Sequence, residues 1–283
     1  MRARGNKQKV WLVLIPFILI VVAFELLPLS VMVVDSFRGD EGVGWSLSQY
    51  VTALTSKYYL TGLKNSVLIS LYSSLIGIAV AIFAAYSLTR FPASLREKIL
   101  LYSNMTSNFA GVPLAFAYIV LLGNNGLFTL LFQKMGWDVL ASFDLYSWVG
   151  LALVYVYFQI PLAILLLYPT YFAIQEQWKE SAALLGASSF QFWRLIGIPV
   201  IAPGLVGTFS ILFANSMGAY ATAYALVGSN YNLLSIRIGA LVQGDVMTRP
   251  ELAGALAVIL GGTMIFAMWV NERMMRRVRR DLR

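Results

Sequence analysis

Long apolar segments alternate with short polar segments along most of the chain. Six of them reach about the 20 residues that an α-helix needs to cross a bilayer core of roughly 30 Å. The third and the fifth are interrupted by polar residues. The pattern predicts an all-α membrane protein with six transmembrane helices. The predicted spans cover residues 10–34, 65–88, 99–122, 145–174, 199–227 and 252–270.

Basic residues are distributed unequally between the two sides of this map. Most of the 21 Lys and Arg residues lie before the first span, between spans two and three, between spans four and five, and after the sixth span. Short loops rich in Lys and Arg remain in the cytoplasm. We therefore expect both termini to be cytoplasmic. The predicted divisions are an N-terminal segment 1–9, a transmembrane domain 10–272 and a basic tail 273–283.

Both ends of the chain have a second interpretation. A basic start followed by an apolar run is also typical of a signal peptide. The run over 10–34 is too long for one, and no small-x-small cleavage site follows it, so we expect an uncleaved first span.

Arginine-rich tails are also found in nucleic-acid-binding proteins. Anchoring against anionic lipid is the simpler interpretation of 273–283, and we expect no nucleic-acid partner.

The composition narrows the possible chemistry. The chain is 59% hydrophobic and only 12% charged, and it contains no Cys and no His. The absence of Cys excludes disulfides and thiolate metal sites. The absence of His removes the usual zinc sites, Ser-His-Asp triads and His-based acid–base schemes. We therefore predict a non-catalytic membrane protein with no catalytic residues and no metal site.

Small residues recur at four-residue spacing in three of the spans. In a bilayer, such residues allow helices to approach closely. We predict that these stripes pack within the subunit or against a partner, and that a Gly261→Leu change separates two helices. The stripes are Ser73, Gly77, Ala81 and Ala85; Ser210, Ala214, Gly218 and Thr222; and Ala253, Ala257 and Gly261.

Polar side chains inside the spans are candidates for lining a pathway. Each could instead make an interhelical hydrogen bond that only holds the bundle together. Glu25 is the only acidic residue well inside a predicted span. A charged carboxylate there is unfavourable in free energy, so such a residue is by default a candidate functional site. A structural, hydrogen-bonded role is equally compatible with it. The candidates are Glu25, Asn104, Asn108, Tyr155, Gln159, Asn215, Ser216 and Tyr220.

A polar, amphipathic segment joins the fourth and fifth spans. Its apolar residues Trp178, Ala182 and Leu185 recur at i, i+4 and i+7, which predicts a short helix at the membrane surface. Gly186 is expected to end this helix, because glycine tolerates the left-handed conformation at a helix C-terminus. A second helical piece over 188–196 would lead to Pro199, which is well tolerated in the first turn of a helix. An ordinary interfacial helix is the alternative interpretation.

The spacing of residues in this segment resembles the cytoplasmic EAA loop of the permease subunits of binding-protein-dependent ABC importers. In that pattern a glycine follows the glutamate by six residues, and an isoleucine follows the glycine by ten. Ser181 replaces an alanine and Ile198 replaces a leucine, both modest departures. The residues that match the loop, and that the resemblance assigns to coupling with an ATPase, are Glu180, Ser181, Ala182, Gly186, Ile196 and Pro199.

The resemblance implies a six-helix permease of the bacterial inner membrane whose coupling loop, 175–199, docks on a nucleotide-binding subunit. The chain has no G-x-x-x-x-G-K-[ST] sequence, so it should bind no cofactor itself. ATP and Mg²⁺ would be bound by the partner. The implied partners are two ATP-binding subunits, a second permease subunit (a paralogue or a second copy), a soluble solute-binding protein and membrane lipid.

The solute is less well defined by the sequence. The stretch over 217–245 is similar to permeases of the polyamine, opine and phosphonate importers, so polyamine or phosphonate transport is the first expectation. Iron, sulfate and thiamine are the alternatives. An ion-coupled secondary transporter would show internal repeats and several intramembrane charges, whereas no clear repeat is present and Glu25 is the single acidic residue well inside a predicted span. A membrane enzyme would need catalytic groups that are hard to nominate without His or Cys.

Overall fold

The computed structural model describes residues 14–39, 42–243 and 248–281. Six helices in these ranges are long and apolar enough to cross a membrane, which confirms the predicted number. The predicted segment 1–9 and the start of the first predicted span lie outside the described residues. The candidate spans are Leu14–Asp35, Lys57–Leu88, Val112–Lys134, Trp148–Ala173, Ser189–Met217 and Pro250–Arg273.

The described part of the chain is helical almost throughout, with one isolated antiparallel bridge between Arg38 and Trp45. In chain order its helices are α1 (Leu14–Asp35), α2 (Ser48–Thr55), α3 (Lys57–Leu88), α4 (Ala93–Asn108), α5 (Val112–Leu122), α6 (Leu127–Lys134), α7 (Asp138–Ala141), α8 (Trp148–Leu167), α9 (Glu176–Leu184), α10 (Ser189–Phe192), α11 (Ile198–Met217), α12 (Tyr220–Val227), α13 (Leu234–Gln243) and α14 (Pro250–Asp281).

Contacts divide the chain into two compact units. The first comprises residues up to Leu60 together with Arg237–Ile259. Within it, α1 widens into a π-turn over Val22–Leu26. Gly254 lies against α1, because a Cβ added at Gly254 would be only 2.8 Å from the Met32 carbonyl oxygen. A small residue is therefore needed where these two backbones approach each other.

The second unit comprises Thr61–Ile236 together with the chain from Leu260 onward. Its helix α8 is central: α4 and α11 both pack against it, and α5 packs against α12. One apolar core is built around Leu151, Tyr155 and Phe158. A second joins Ala81, Ala85 and Leu167 with residues of α11. The low polarity of these contacts is expected where lipid surrounds the bundle, because close packing rather than water exclusion drives association there.

The small-residue stripe of the second span packs as predicted. Ser73, Gly77, Ala81 and Ala85 are all buried. A Cβ added at Gly77 would lie 3.1 Å from the Cβ of Gln159 on α8. Only a very small side chain therefore fits where α3 crosses α8.

The stripe predicted for the sixth span does not pack through Gly261. A Cβ added there would meet no atom within 4 Å, so the expected helix separation by Gly261→Leu is wrong for contacts within this subunit. The close approach in α14 occurs two turns earlier, at Gly254. Seven residues separate the two glycines on nearly the same helix face, so spacing alone did not distinguish them.

The third predicted span is not a continuous helix over 99–122. Helix α4 ends at Asn108, and α5 begins at Val112 after Gly111, whose φ of 79° ends the helical path. The Gly111 N–H donates to the Thr222 hydroxyl at 2.7 Å. The apolar run that is long enough to cross then extends over Val112–Lys134. A break of this kind is tolerated at membrane depth because the freed backbone group finds a partner inside the protein.

The fifth predicted span, 199–227, is also divided, and it begins earlier than expected. The helical run starts at Ser189 and stops at Met217, and α12 is a separate helix. At the break, the Ala219 carbonyl accepts a hydrogen bond from the Tyr155 hydroxyl at 3.0 Å. The stripe predicted for this span is interrupted at the same place, since Gly218 is exposed whereas Thr222 is buried.

Candidate functional site

The loop between the fourth and fifth spans begins with α9 and ends it at Gly186. This glycine has a φ of 79°, so the predicted left-handed helix end is confirmed. The Ala187 N–H donates to the Ala182 carbonyl at 2.9 Å, and the Gly186 N–H donates to the Ala183 carbonyl at 3.0 Å. These two bonds form a Schellman motif, which satisfies carbonyls that the end of a helix leaves unpaired.

The next helix starts from a capping box one residue later. The Ser188 hydroxyl accepts from the Gln191 N–H at 3.3 Å, while the Gln191 side chain accepts from the Ser188 N–H at 2.7 Å. The chain thus turns from α9 to α10 over the four residues 185–188, with hydrogen-bonded caps at both ends. This predicts a loop with one defined shape.

A π-turn over Trp193–Gly197 joins α10 to α11. The Ile198 N–H donates to the Trp193 carbonyl, five residues back. Gly197 lies under the Trp193 ring, because an added Cβ would come within 2.3 Å of that ring. Pro199, which cannot donate a backbone hydrogen bond, follows at the start of α11. The helical run therefore passes through the predicted Ile196 and Pro199 positions without a stop.

The residues matched to the coupling motif divide into an outer and an inner group. Glu180, Ser181 and Gly186 are exposed. Ala182 is buried, and Ile196 and Pro199 are half-buried. The inner residues help to line an apolar groove of about 630 Å³ between α9 and α11. The outer residues are free to contact another molecule.

Large apolar side chains project from the same loop. Leu184 and Leu185 are 89% and 88% exposed, and Phe190 is 73% exposed. Apolar side chains clustered in this way are typical of a protein-interaction surface. The motif did not single out Leu184 or Phe190, because they lie between the matched residues at positions that it does not specify.

An aromatic and cationic cluster attaches the loop to the second span. The Tyr86 ring of α3 lies edge-on to the Trp193 ring, with centroids 4.9 Å apart. The Arg90 guanidinium lies over the Tyr86 ring, 4.5 Å from its centroid. The Lys179 ammonium of α9 lies 5.9 Å from the same Tyr86 centroid. Each cation–π contact contributes about 0.5–1 kcal/mol when exposed. We call Tyr86, Arg90, Lys179 and Trp193 the brace.

The sequence analysis missed the brace. Helix α3 ends at Leu88, so Arg90 lies in the turn beyond it, and the four-residue spacing from Tyr86 would have indicated their contact only in a continuing helix. Their contacts with Lys179 and Trp193, about 90 residues further along, have no signal in a single sequence. A cleft of about 520 Å³ beside the brace is lined by Arg90, Lys179 and both loop glutamates.

Three of the predicted pathway residues lie inside the bundle. The Tyr155 hydroxyl bonds the Ala219 carbonyl, and the Gln159 amide donates to the Leu212 carbonyl at 2.7 Å. The Ser216 and Ser73 hydroxyls are 3.2 Å apart. These contacts join α8, α11 and α3, so the structure places these side chains where the interhelical alternative requires them. The Gln159 Oε1 atom is buried and has no partner in the structure.

The three asparagines are exposed instead. Asn104 and Asn108 lie on α4, and the Asn108 amide donates to the Asn104 carbonyl at 2.8 Å. Asn215 lies on α11, just before the break that follows Met217. Tyr220 is half-buried and stacks on Tyr224 with ring centroids 5.3 Å apart. All three asparagines are thus exposed in the described part of the chain, and Asn108 and Asn215 each lie close to a helix break.

Glu25 belongs to the first unit. It is in the π-turn of α1 and is exposed. Neither its functional nor its structural interpretation is resolved by this placement, so its role stays a prediction.

Comparison with curated proteins finds permeases over nearly the full chain, although no family model matches. The sulfate transport system permease protein CysT of Salmonella typhimurium is 25% identical over 264 residues, covering 90% of this chain and 88% of CysT. The spermidine/putrescine permease PotC of Escherichia coli is 21% identical over 262 residues, covering 91% and 92%. The thiamine permease ThiP of Brucella suis is 30% identical over 159 residues, covering 56% and 28%.

Solved structures agree on the fold. A chain of a bacterial ABC transporter that imports the acidic polysaccharide alginate superposes with a TM-score of 0.74 at 18% identity, covering 98% of this chain and 99% of that one. A chain of the MetNI methionine ABC transporter gives a TM-score of 0.60 at 17% identity, covering 77% and 95%. The relatives share a role and a fold while their named solutes differ. This chain is a multi-pass membrane protein, an ABC importer permease that is similar over nearly its full length to CysT and PotC.

Proposed function

We propose that this permease forms half of a pathway for a small polar solute, and that two separate ATP-binding subunits drive it through the loop 175–199. A soluble binding protein would deliver the solute. The single observation that carries the pathway half of this proposal is the exposed set of Asn104, Asn108 and Asn215.

The location of these amides argues against contact with lipid. Helix α4 packs along α8, and α8 belongs to a membrane span. An amide transferred to hydrocarbon without hydrogen-bond partners costs about 4–8 kcal/mol. The bond from the Asn108 amide to Asn104 satisfies only part of the hydrogen-bonding capacity of these three side chains, so they are more stable against water or protein than against lipid. We therefore assign them to a water-filled pathway shared with a second permease subunit, either a paralogue or a second copy.

The loop supports the ATP-driven half of the proposal. ATP and Mg²⁺ would be bound by the partner, because the chain has no phosphate-binding loop sequence. The Schellman motif and the capping box hold the loop in one shape, and the brace attaches it to α3. Its exposed Leu184, Leu185 and Phe190 supply an apolar contact. A partner that pushes on this segment would move α3 and α11 together.

The proposed orientation follows from the basic residues. The loop 175–199 and both termini would lie in the cytoplasm of a bacterial inner membrane. The described helix α14 supports a basic cytoplasmic end, because it continues past the last apolar residues to Asp281. Arg273 lies over the Trp269 ring at 5.2 Å, as expected where a span reaches the interface.

For the solute, we favour an oxyanion such as sulfate or a phosphonate over a polyamine. The exposed asparagine face presents amides, which donate hydrogen bonds to oxyanions. A polyamine cation would be expected to meet carboxylates or aromatic faces. Uptake of labelled sulfate, phosphonate, putrescine and thiamine into vesicles with the matching binding protein separates these solutes. Uptake of putrescine alone would overturn the preference.

The pathway is tested with single cysteines, since the natural chain has none. In the assembled transporter, Asn108→Cys and Asn215→Cys should react with a charged, membrane-impermeant thiol reagent, and transported solute should slow the reaction. The matched control is Phe83→Cys, at a 75% exposed apolar position of α3 that should face lipid. If Asn108→Cys and Asn215→Cys are as unreactive as the control, the pathway assignment fails.

A further inference from the structure

The segment between the first two spans carries an apolar surface that the chain itself does not cover. Val43 and Trp45 are 77% and 78% exposed. On α2 and its N-cap, Leu47, Val51 and Leu54 are also exposed. These last three lie at i, i+4 and i+7 and therefore share one helix face. We call these five residues the apolar stripe.

The opposite face of α2 is attached to the protein. Gln49 and Ala53 are buried. The Tyr50 hydroxyl is 2.7 Å from the Ser36 hydroxyl at the end of α1, and the Tyr50 and Phe37 rings have centroids 5.2 Å apart. Helix α2 thus has a fixed inner side and an apolar outer side, the reverse of a surface helix in water.

The depth of α2 is set by both of its neighbours. Helix α1 ends at Asp35, which pairs with Arg38 at 3.3 Å and so marks where the apolar run stops. On the other side, a single residue, Ser56, separates α2 from α3. The first turn of α3 carries Tyr58 and Tyr59, residues that are enriched at membrane interfaces. Both connections therefore hold α2 at the membrane surface.

The composition of the segment fits lipid better than a soluble protein. Residues 42–56 contain no charged side chain. An uncharged segment can enter the membrane interface without the cost of moving a charge towards hydrocarbon. Trp45, held outward by the backbone bond from the Ser46 N–H to the Phe37 carbonyl at 2.8 Å, is typical of the headgroup level.

We propose that α2 and the preceding turn lie in the membrane interface, with the apolar stripe inserted among the lipid acyl chains. A helix of this kind inserts its apolar face about 5–10 Å into the boundary between headgroups and acyl chains. The inserted face would fix the height of the outer ends of α1 and α3 relative to the bilayer. The inference uses only the ends of the first two spans. It therefore does not depend on the solute, on the ATPase or on which side of the membrane these two ends lie.

The test again uses the cysteine-free chain. Val51→Cys and Leu54→Cys, on the stripe, are each labelled with an environment-sensitive fluorophore. Ser48→Cys is the control, on an exposed polar position of the same helix. The full chain, with the subunits that co-elute with it, is reconstituted in phosphatidylcholine–phosphatidylglycerol vesicles, with or without brominated acyl chains.

Brominated lipid should quench the probes at positions 51 and 54 severalfold more than the probe at 48, and iodide in the water should show the opposite order. Quenching of the stripe probes by iodide, without quenching by brominated lipid, would overturn the proposal. If the probes at positions 51 and 54 become shielded from iodide only when a soluble binding protein is added, the proposal would also be overturned, in favour of protein docking. Self-quenching that depends on protein density would assign the stripe to a second copy.

Discussion

Gly186 gives the sharpest test of the loop, because its substitution adds strain without adding a clash. Its φ is 79°, and a Cβ built on it meets no atom within 4 Å. Any effect of Gly186→Ala therefore comes from the backbone conformation alone. An L-residue in the left-handed region costs about 1–2 kcal/mol.

This cost sets the size of the expected effect. If the loop must hold the left-handed turn when its partner binds, then about 1–2 kcal/mol corresponds to a factor of roughly 5–30 in the population of the competent loop. The affinity of the full-length chain for the ATP-binding subunits should fall by up to the same factor. Gly186→Asn should lose less, because asparagine visits this conformation more readily.

A matched control is available in the same chain. Gly136 ends α6 with a φ of 71°, and its added Cβ also meets nothing within 4 Å. The bonds from Gly136 N–H to the Gln133 carbonyl and from Trp137 N–H to the Phe132 carbonyl form the same Schellman motif. Gly136→Ala thus imposes equal local strain on a different loop.

The assay is a titrated pull-down of the ATP-binding subunits from detergent-solubilised membranes, together with solute-stimulated ATP hydrolysis. We expect the order of retention to be wild type, then Gly186→Asn, then Gly186→Ala, with Gly136→Ala close to wild type. Equal retention by all four proteins would refute the coupling role of this turn. Equal losses at positions 136 and 186 would show a general folding defect instead.

Two further predictions concern the bundle. Gly77→Leu should lower the yield and thermal stability of the purified chain, because its Cβ would lie 3.1 Å from the Cβ of Gln159. Gly261→Leu is the control and should leave the yield and the thermal stability of the isolated subunit unchanged. Similar losses in the two variants would contradict the assigned packing. Tyr155→Phe removes the hydroxyl that donates to the Ala219 carbonyl. It should lower the free energy of unfolding by about 0.6–1.7 kcal/mol, the range measured for interhelical hydrogen bonds in membranes, and so lower the melting temperature in detergent. An unchanged melting temperature would show that this bond contributes nothing to stability.

Hydropathy was sufficient for the number of spans but not for their continuity. Polar residues interrupt the 99–122 and 199–227 segments near both helix breaks, but each segment is apolar enough on average to read as a single span. The actual stops depend on backbone features, namely the positive φ of Gly111 and the end of α11 at Met217. A window average does not contain that information, whereas the glycine that ends α9 could be predicted because a polar stretch surrounds it.

The side-chain roles divide in the same way. Four-residue spacing correctly placed Asn104 and Asn108 on one face, and likewise Tyr155 and Gln159. Spacing alone could not tell which pair faces inward, but the sequence of α8 is much more apolar than that of α4, and this difference favours burial of the α8 pair. The structure separates them through the neighbours of α8, which is covered on several sides, and of α4, which is not.

The π-turn before α11 has a consequence for the rest of that helix. Each residue of an α-helix advances the chain by about 100° around the axis, so one residue more or less in a regular stretch rotates everything that follows by that angle. The wide turn over Trp193–Gly197 already contains one extra residue, so deleting one residue there would restore a regular turn and leave Asn215 on the same side of α11. The same deletion after Pro199 would swing Asn215 toward a neighbouring helix, so the turn next to the surface loop tolerates a change of length that the rest of α11 does not.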